Sequence, residues 1–411
     1  MNNKLLLDLA VELGYQLAMC GAETYRVEES ITRVLASYGI ASETFAIANC
    51  LTVSIETPDG VLMTRMRRIG APSNDLDAVE RYSGLSRRIC SQHPAPETAL
   101  QWLQETGKKR VFYTPALQYL GSVLGSSAFS FFYGGTLADA VCAGFCGIIG
   151  CWMGRVLERL HVNQFFKTII TAFSMALPAY LLAYAGIAAS ADATIIGCLM
   201  MLVPGLLFTN AMRDIIFGDT NCGIQRLVQV LLIALAIALG TGAAWNVTGT
   251  ILATPETVEA AMHGVPGLIL ACAIGCVGFC ILFNIHGPGI ILCALGGVVT
   301  WFVYDLFMKT GYSEITACFW GCFIAALYAE GMARLRKYPA ISYLVVSIFT
   351  LLPGAGVYYT MNYAVRGDMT RFSSQGAHTM AVAGSMAVGI LLVSTLLKLT
   401  AVWKAQKKKK K

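Results

Sequence analysis

Charged residues are scarce over most of this chain. Asp, Glu, Lys and Arg make up 13% of the 411 residues, whereas hydrophobic residues make up 56%. Of the 54 charged side chains, 25 fall in the first 110 residues, and six of the other 29 are lysines near the C-terminal end. Because soluble domains carry about twice this share of charge, the distribution excludes one large soluble globule, a disordered chain and a nucleic-acid binder with a basic face. It predicts a soluble head followed by a polytopic membrane domain.

The chain also lacks the common motifs of cofactor, metal and nucleophile sites. It has no P-loop, no G-x-G-x-x-G, no C-x-x-C and no cysteine pair with a histidine at zinc-finger spacing. Its fourteen cysteines recur instead at i, i+4 in apolar stretches, as in Cys142/Cys146, Cys272/Cys276/Cys280 and Cys318/Cys322. A metal site or thiol relay is one interpretation, but small polarizable residues that allow close helix packing are the favoured one. We expect neither a metal nor a cofactor.

Residues 1–110 predict a small α+β domain on the cytoplasmic side. Residues 1–19 are amphipathic and carry Asp8 and Glu12, which argues against a signal peptide. The elements expected from hydrophobic periodicity and turn residues are helices at 4–20 and 23–38, β-like runs at 44–56 and 61–68, and helices at 73–90 and 97–106.

A charged cluster at residues 23–29 is the main feature of this head. Glu23 with Arg26, and Arg26 with Glu29, stand at i, i+3, where they can pair on a helix surface. Paired carboxylates also suit acid–base chemistry. Because no nucleophile–base constellation accompanies them, a solvated charged face is the favoured interpretation.

Ten membrane spans are expected from the lengths of the apolar stretches. They lie at 114–133, 137–157, 165–187, 193–213, 225–245, 265–284, 289–308, 314–333, 341–363 and 377–401. The positive-inside rule places Lys108–Arg110, the 2–3 loop, the 8–9 loop and the lysine tail in the cytoplasm. Glu256 and Glu259 then face outward, and Arg366 and Arg371 are exceptions on the outer side.

An internal repeat links spans 4 and 9. Leu202-Val203-Pro204-Gly205 matches Leu351-Leu352-Pro353-Gly354 at an offset of 149, and the same offset pairs Met212 with Met361 and Gly218-Asp219 with Gly367-Asp368. Two five-helix repeats, at 111–250 and 251–411, follow from this offset. Since five is odd, the second repeat enters the membrane from the opposite side, as in many secondary transporters.

Each Pro-Gly pair stands near the middle of its span and predicts a broken helix. Proline removes a backbone donor and glycine permits unwinding, so the second half-helix offers free N–H groups that attract a carboxylate. A simple packing kink is the alternative. Polar residues follow both breaks, and the candidate substrate contacts are Pro204, Gly205, Thr209, Asn210, Pro353, Gly354, Tyr358 and Tyr359. The candidate gating or ion-coupling residues are Arg213, Asp214, Asp219 and Asp368.

Two segments resemble signatures of the threonine/serine exporter family. Gly21-Ala22-Glu23-Thr24-Tyr25-Arg26-Val27-Glu28 resembles its opening signature, of which Gly21, Glu23, Arg26 and Glu28 are the marked residues. The family's second signature resembles a set of residues between 204 and 223, namely Pro204-Gly205, Asn210, Arg213-Asp214, Gly218-Asp219 and Gly223. The resemblance implies a ten-span inner-membrane exporter of small hydroxy amino acids driven by the proton gradient. Some relatives carry the two modules on separate chains, and one such pair is associated with succinate export.

Four functions are weighed against these patterns. A secondary exporter of threonine or serine leads, with a proton antiporter as the expected type. A dicarboxylate exporter with the same architecture is second, a membrane-bound hydrolase using Glu23 or Glu28 is third, and a channel is fourth. The expected partners are a small carboxylate-bearing substrate, protons and the lipid bilayer of the bacterial inner membrane. Both termini are expected in the cytoplasm, no nucleic acid is expected, and a homo-oligomer is compatible with this architecture.

Overall fold

In a computed structural model that describes residues 2–57, 59–70, 73–251, 263–336 and 338–409, the chain divides into two units. The first, here called the head unit, contains Met1–Tyr113, Phe283–Gly287 and Met332–Ser342. The second, here called the membrane unit, contains Thr114–Leu282, Pro288–Gly331 and Tyr343–Lys411. The sequence predicts a head of residues 1–110, and the two distant loops in the head unit were not expected there.

Where the structure describes them, residues 2–113 of the head unit form four helices and a three-stranded antiparallel sheet in the order β1-β2-β3. Its elements are α1 (Asn3–Met19), α2 (Thr24–Ser37), β1 (Ser42–Ile47), β2 (Cys50–Glu56), β3 (Leu62–Arg68), α3 (Leu76–Gln92) and α4 (Pro96–Lys108). The expected single run at 44–56 is two strands, because a tight turn separates Ile47 from Cys50, which pair directly. Leucines at positions 6, 9, 13 and 17 of α1 are fully buried and form the core with residues of α2, β2 and α3.

The membrane unit is entirely helical over its described residues. Its α-helices are α5 (Pro115–Phe132), α6 (Leu137–Arg159), α7 (Gln164–Tyr184), α8 (Ala191–Leu199), α9 (Gly205–Phe217), α10 (Thr220–Ile251), α11 (Val265–Leu282), α12 (Gly289–Lys309), α13 (Glu314–Arg336), α14 (Ala340–Ser347), α15 (Gly354–Val365) and α16 (Met369–Lys409). A short 3₁₀ turn, Phe349–Leu351, follows α14. Residues 256 and 259, expected on the outer side, lie outside the described residues.

Seven of the described helices are long and apolar enough to cross a membrane, namely α6, α7, α10, α11, α12, α13 and α16. The pair Ala340–Leu351 and Gly354–Val365, bent by 53°, makes an eighth candidate. The chain is therefore a polytopic helical membrane protein. Two of the ten expected spans fall short by length or composition: α5 is rich in serine and glycine, and the 193–213 span is divided between α8 and α9.

The starts of the helices recur at a nearly constant spacing along the membrane unit. Starts at residues 115, 137, 164, 205 and 220 are followed by starts at residues 265, 289, 314, 354 and 369, an offset of 149 to 152. In the same way, α8 and α14 are short helices that each precede a Pro-Gly pair. Helices α5–α10 and α11–α16 thus share one order of helix lengths and breaks.

Small residues let neighbouring helices approach closely. A Cβ atom on Gly278 of α11 would lie 2.6 Å from the backbone nitrogen of Gly125 in α5, and one on Gly297 of α12 would lie 2.3 Å from Cys276 Sγ. The i, i+4 cysteines are buried in such helix contacts as free thiols. Among the described residues, no group of three His, Cys, Asp or Glu side chains is arranged to hold a metal ion.

Candidate functional site

The two Pro-Gly pairs break their helices with nearly the same backbone geometry. Pro204 has φ −82° and ψ 43°, and Pro353 has φ −74° and ψ 44°. In both breaks, the glycine amide donates a hydrogen bond to the carbonyl two residues earlier. The N–O distance is 2.9 Å for Gly205 and 2.6 Å for Gly354. A new helix starts at each glycine because proline supplies no N–H to continue the preceding one.

The two breaks lie against each other in the membrane unit. A Cβ atom on Gly205 would be 2.9 Å from Leu352 Cβ and 3.7 Å from the backbone nitrogen of Gly354. A Cβ atom on Gly354 would be 3.0 Å from Val203 Cγ1. The absence of side chains on these glycines is what allows the approach, which brings the N-termini of α9 and α15 together.

Neither N-terminus carries a side-chain cap. The first helical hydrogen bonds run from Phe208 N to Pro204 O at 2.9 Å and from Val357 N to Pro353 O at 3.0 Å. The amides ahead of these two are the ones that a helix start leaves without intrahelical acceptors. Two positive helix ends therefore face one small region, where an anionic group is stabilised.

Thr209, one turn into α9, adds a polar side chain. It is 1% exposed, and its Oγ1 has no hydrogen-bond partner in the described part of the chain. The same holds for buried hydroxyls of Ser130 on α5, Ser347 on α14 and Thr350 in the 3₁₀ turn. A buried hydroxyl without a partner costs free energy that a polar ligand can recover. The neighbouring Asn210 is half-buried.

Tyr358 and Tyr359 lie one turn into α15 and pack against helices α7, α8 and α10. Their ring centroids are 5.4 Å apart, and Tyr358 packs in a buried cluster with Tyr180, Ile195 and Cys198. Its hydroxyl also hydrogen-bonds to Thr241 of α10. These tyrosines link the second break to helices α7, α8 and α10.

The acidic residue of the Arg213-Asp214 pair forms an ion pair with Arg226, a residue of α10 that the sequence did not single out. Asp214 and Arg226 have side chains only 8% and 13% exposed. Asp214 lies near the C-terminal end of α9, and Asp219 stands in the turn between α9 and α10, where its carbonyl accepts the Gly223 amide. Positions 214 and 226 are 12 residues apart, a spacing that matches no helical repeat. The tight corner between α9 and α10 brings the two side chains together.

Asp368, the fourth gating candidate, stands at the start of α16. Its Oδ1 accepts the backbone N–H of Arg371 at 3.0 Å, and its Oδ2 lies 3.5 Å from the Arg371 guanidinium. A carboxylate at this position satisfies a free amide of the first turn. The local geometry therefore gives Asp368 a capping role, and its sequence match Asp219 is placed likewise just before α10.

The signature at residues 21–28 lies in the head unit. Gly21 has φ +90°, and a Cβ atom there would lie 2.7 Å from Ser73 O, so glycine suits both the conformation and the space. Glu28 accepts the Ala46 backbone N–H at 2.8 Å and so ties α2 to β1. Glu23 is the N-cap residue of α2, and Arg26 lies on its first turns with a buried Nε. Glu29 forms an ion pair of 2.7 Å with Arg33, one turn further along α2.

Comparison with known proteins gives a family match over most of the chain. Residues 8–248 match a model described as "Putative threonine/serine exporter", and residues 268–396 match one described as "Threonine/Serine exporter, ThrE". A threonine/serine exporter of Corynebacterium glutamicum is 21% identical over 403 residues, covering 94% of this chain and 81% of that protein. A "Probable succinate transporter subunit YjjP" of Klebsiella aerogenes is 23% identical over 242 residues, covering 59% of this chain and 93% of that protein. No solved structure matches the chain.

Proposed function

The chain belongs to the threonine/serine exporter family, and we propose that it exports threonine, serine or a similar small amino acid across the bacterial inner membrane. The observation that carries the proposal is the meeting of two uncapped helix N-termini at Gly205 and Gly354. The backbone amides that follow these glycines, Leu206 and Leu207 on α9 and Ala355 and Gly356 on α15, precede the first helical hydrogen bonds and match a substrate carboxylate.

Side chains around the breaks match the rest of a hydroxy amino acid. Thr209 Oγ1 is buried without a partner and is the best-placed hydroxyl for the polar part of the substrate. Asn210 and the Tyr358–Tyr359 pair supply further hydrogen-bonding groups one turn into their helices. Met200, Val203 and Leu352 supply the apolar surface between the breaks.

Ten crossings in two inverted repeats remain the proposed topology. Helix α5 packs antiparallel along α11, with contacts from Gly121 against Gly278 to Phe131 against Gly267. It therefore runs beside most of a helix that is long and apolar enough to cross a membrane. Because Tyr113 and Phe283–Gly287 share the head unit, an even number of crossings must separate them. Helices α5, α6, α7, α10 and α11 make five crossings, and the α8–α9 pair then supplies the sixth. Both termini are cytoplasmic in this proposal.

Proton coupling is proposed for export against a gradient. The described membrane helices hold few buried ionisable groups. Asp214 lies on α9 less than three turns beyond the break and pairs with Arg226 on α10. Ionisable groups at such positions are functional candidates. Opening and closing of this pair would link substrate binding to access from one side, in the manner of a gate.

Efflux from loaded proteoliposomes tests the function. We expect labelled threonine or serine to leave against its gradient when a pH gradient is imposed, and the flux to collapse with an uncoupler. Conduction that ignores the pH gradient would indicate a channel. Succinate in place of the amino acids tests the dicarboxylate alternative, which the match to the succinate transporter subunit supports. Efflux of succinate alone would overturn the proposed substrate while leaving an exporter.

A further inference from the structure

The head unit contains a polar cavity of about 450 Å³ between α1, β3, α3 and α4. Carboxylates from α1 and guanidiniums from β3 and the α4 end line it, together with an apolar patch from Val11 and Leu103. Neither the family match nor the proposed transport site accounts for this cavity, which lies wholly within residues 8–110.

Two of the three arginines in the cavity each make more than one contact with described residues. Arg67 pairs with Glu12 and stacks on the Tyr15 ring at 4.0 Å. Arg110 donates two hydrogen bonds to the buried Asp75 at 2.7 and 3.1 Å. Both guanidiniums line the cavity, and each is held by a carboxylate and an aromatic ring.

The third arginine is held loosely. Arg65 meets Asp8 through a single N–O contact of 3.3 Å, and the two side chains are 54% and 32% exposed. Since a surface pair of this kind contributes little stability, a ligand can replace it at small cost. The other side-chain N–H groups of Arg65 make no hydrogen bond to a described residue, and a guanidinium offers such groups for a bidentate contact with a carboxylate.

We propose that this cavity binds a free α-amino acid and that the head unit senses the cytoplasmic level of the exported solute. The ligand carboxylate would pair with Arg65 and its ammonium with Asp8, so each charge of the opened pair regains an opposite partner. If a dicarboxylate such as succinate bound to Arg65, the carboxylate of Asp8 would repel its second carboxylate. The apolar patch at Val11 and Leu103 receives a short side chain. The regulatory part of this proposal rests on the proposed amino-acid export. The binding of an amino acid in the cavity does not depend on that function.

Equilibrium binding of labelled threonine to the full-length protein in nanodiscs is the first test. We expect two bound molecules per chain in the wild type. Asp8→Asn and Arg65→Gln should each weaken the head site at least tenfold and leave the second site unchanged. Arg68→Gln is the matched control, because Arg68 alternates to the opposite face of β3 and does not line the cavity. Thermal melting of each variant confirms that it is folded.

Modification of arginine with phenylglyoxal, followed by peptide mass spectrometry, gives a local readout. We expect threonine to protect Arg65 at least fivefold while Arg68 stays equally reactive, and succinate to protect neither. Threonine binding that Asp8→Asn and Arg65→Gln leave unchanged, or equal reactivity of Arg65 with and without threonine, would overturn the proposal. If threonine protects Arg65 but proteoliposomes show no amino-acid efflux, the head site stands and the proposed transport function fails.

Discussion

The side-chain amide of Asn284 donates a hydrogen bond of 2.8 Å to the carboxylate of Asp75, although 209 residues separate them. Asp75 is 2% exposed, caps α3 through the Ala78 amide and also accepts the Arg110 guanidinium. Asn284 makes a second bond, of 2.9 Å, to the Val111 carbonyl. These bonds fix the loop that joins α11 to α12 to Asp75 and Val111. Both of these residues belong to the head unit and to the part of the chain that matches the first family model.

Asn284→Ala should loosen this loop. It removes both amide bonds and leaves a buried carboxylate oxygen with one donor fewer, a change worth about 1–3 kcal/mol. We expect faster hydrogen–deuterium exchange at residues 108–114 and 283–287 and a lower melting temperature. Replacement of the exposed Asn221 by alanine is the control and should change neither. Unaltered exchange at both segments would show that the contact does not hold the loop.

Glu80 gives the head unit a pH-dependent stability. Burial raises the pKa of this carboxyl to about 7 from its ordinary 4.5, and a hydrogen bond from Tyr338 with the nearby charge of Arg336 only partly opposes burial. A raised carboxyl pKa means that the folded protein prefers the protonated form, so this contribution is present at acidic pH and is lost as the pH rises through about 7.

Glu80→Gln should therefore flatten the pH dependence of the melting temperature. Relative to the variant, the wild type should lose stability between pH 5 and pH 8, as measured by scanning fluorimetry of both proteins. Glu97→Gln, on the exposed first turn of α4, is the control. Parallel wild-type and Glu80→Gln profiles across this range would contradict the assignment.

Thr209→Val separates ligand binding from stability. Valine keeps the shape and removes a hydroxyl that is buried without a partner, so the melting temperature should stay level or rise. Threonine affinity should fall about three- to tenfold, as one neutral hydrogen bond is lost. Thr248→Val is the control, since its hydroxyl already donates to the Ala244 carbonyl at 3.0 Å. A stable variant with wild-type affinity would remove Thr209 from the site.

Single cysteines in a cysteine-free background test the topology. An impermeant maleimide added from outside should label position 258 and leave positions 110 and 405 unlabelled in intact cells. Permeabilisation should make both of the latter reactive. Labelling of 110 and 405 from opposite faces would mean an odd number of crossings and would refute the inverted repeat.

Much of the membrane unit follows from local sequence. Pro204-Gly205 and Pro353-Gly354 break their helices as predicted, because the missing N–H acts within one turn. The contact of Gly205 with Leu352 and the pairing of Asp214 with Arg226 depend on how distant helices pack, which periodicity does not encode. The same is true of the hydrogen bond between Asp75 and Asn284, because nothing in the loop sequence around Asn284 predicts a partner in the head unit. In the head, Ala48-Asn49 is not a standard turn motif, so the pattern predicts one run at 44–56 where the fold has two strands.

Pro204→Ala tests most directly whether the broken helices bind the substrate carboxylate. Alanine restores the N–H and favours the helix, so amides now free at the start of α9 would be consumed by i→i−4 bonds. Gly205 is kept, because a Cβ there would meet Leu352 at 2.9 Å. Pro178→Ala is the matched control, since it removes a proline inside α7 and changes neither Pro-Gly pair.

The decisive measurement is the threonine dissociation constant and the melting temperature of these two variants and the wild type. Loss of one charge-assisted hydrogen bond, about 1.5–3 kcal/mol, predicts a dissociation constant about tenfold to a hundredfold weaker in Pro204→Ala. Pro178→Ala should bind threonine as the wild type does. Wild-type affinity in Pro204→Ala, with a changed melting temperature alone, would show that the break is a packing kink and contradict the account.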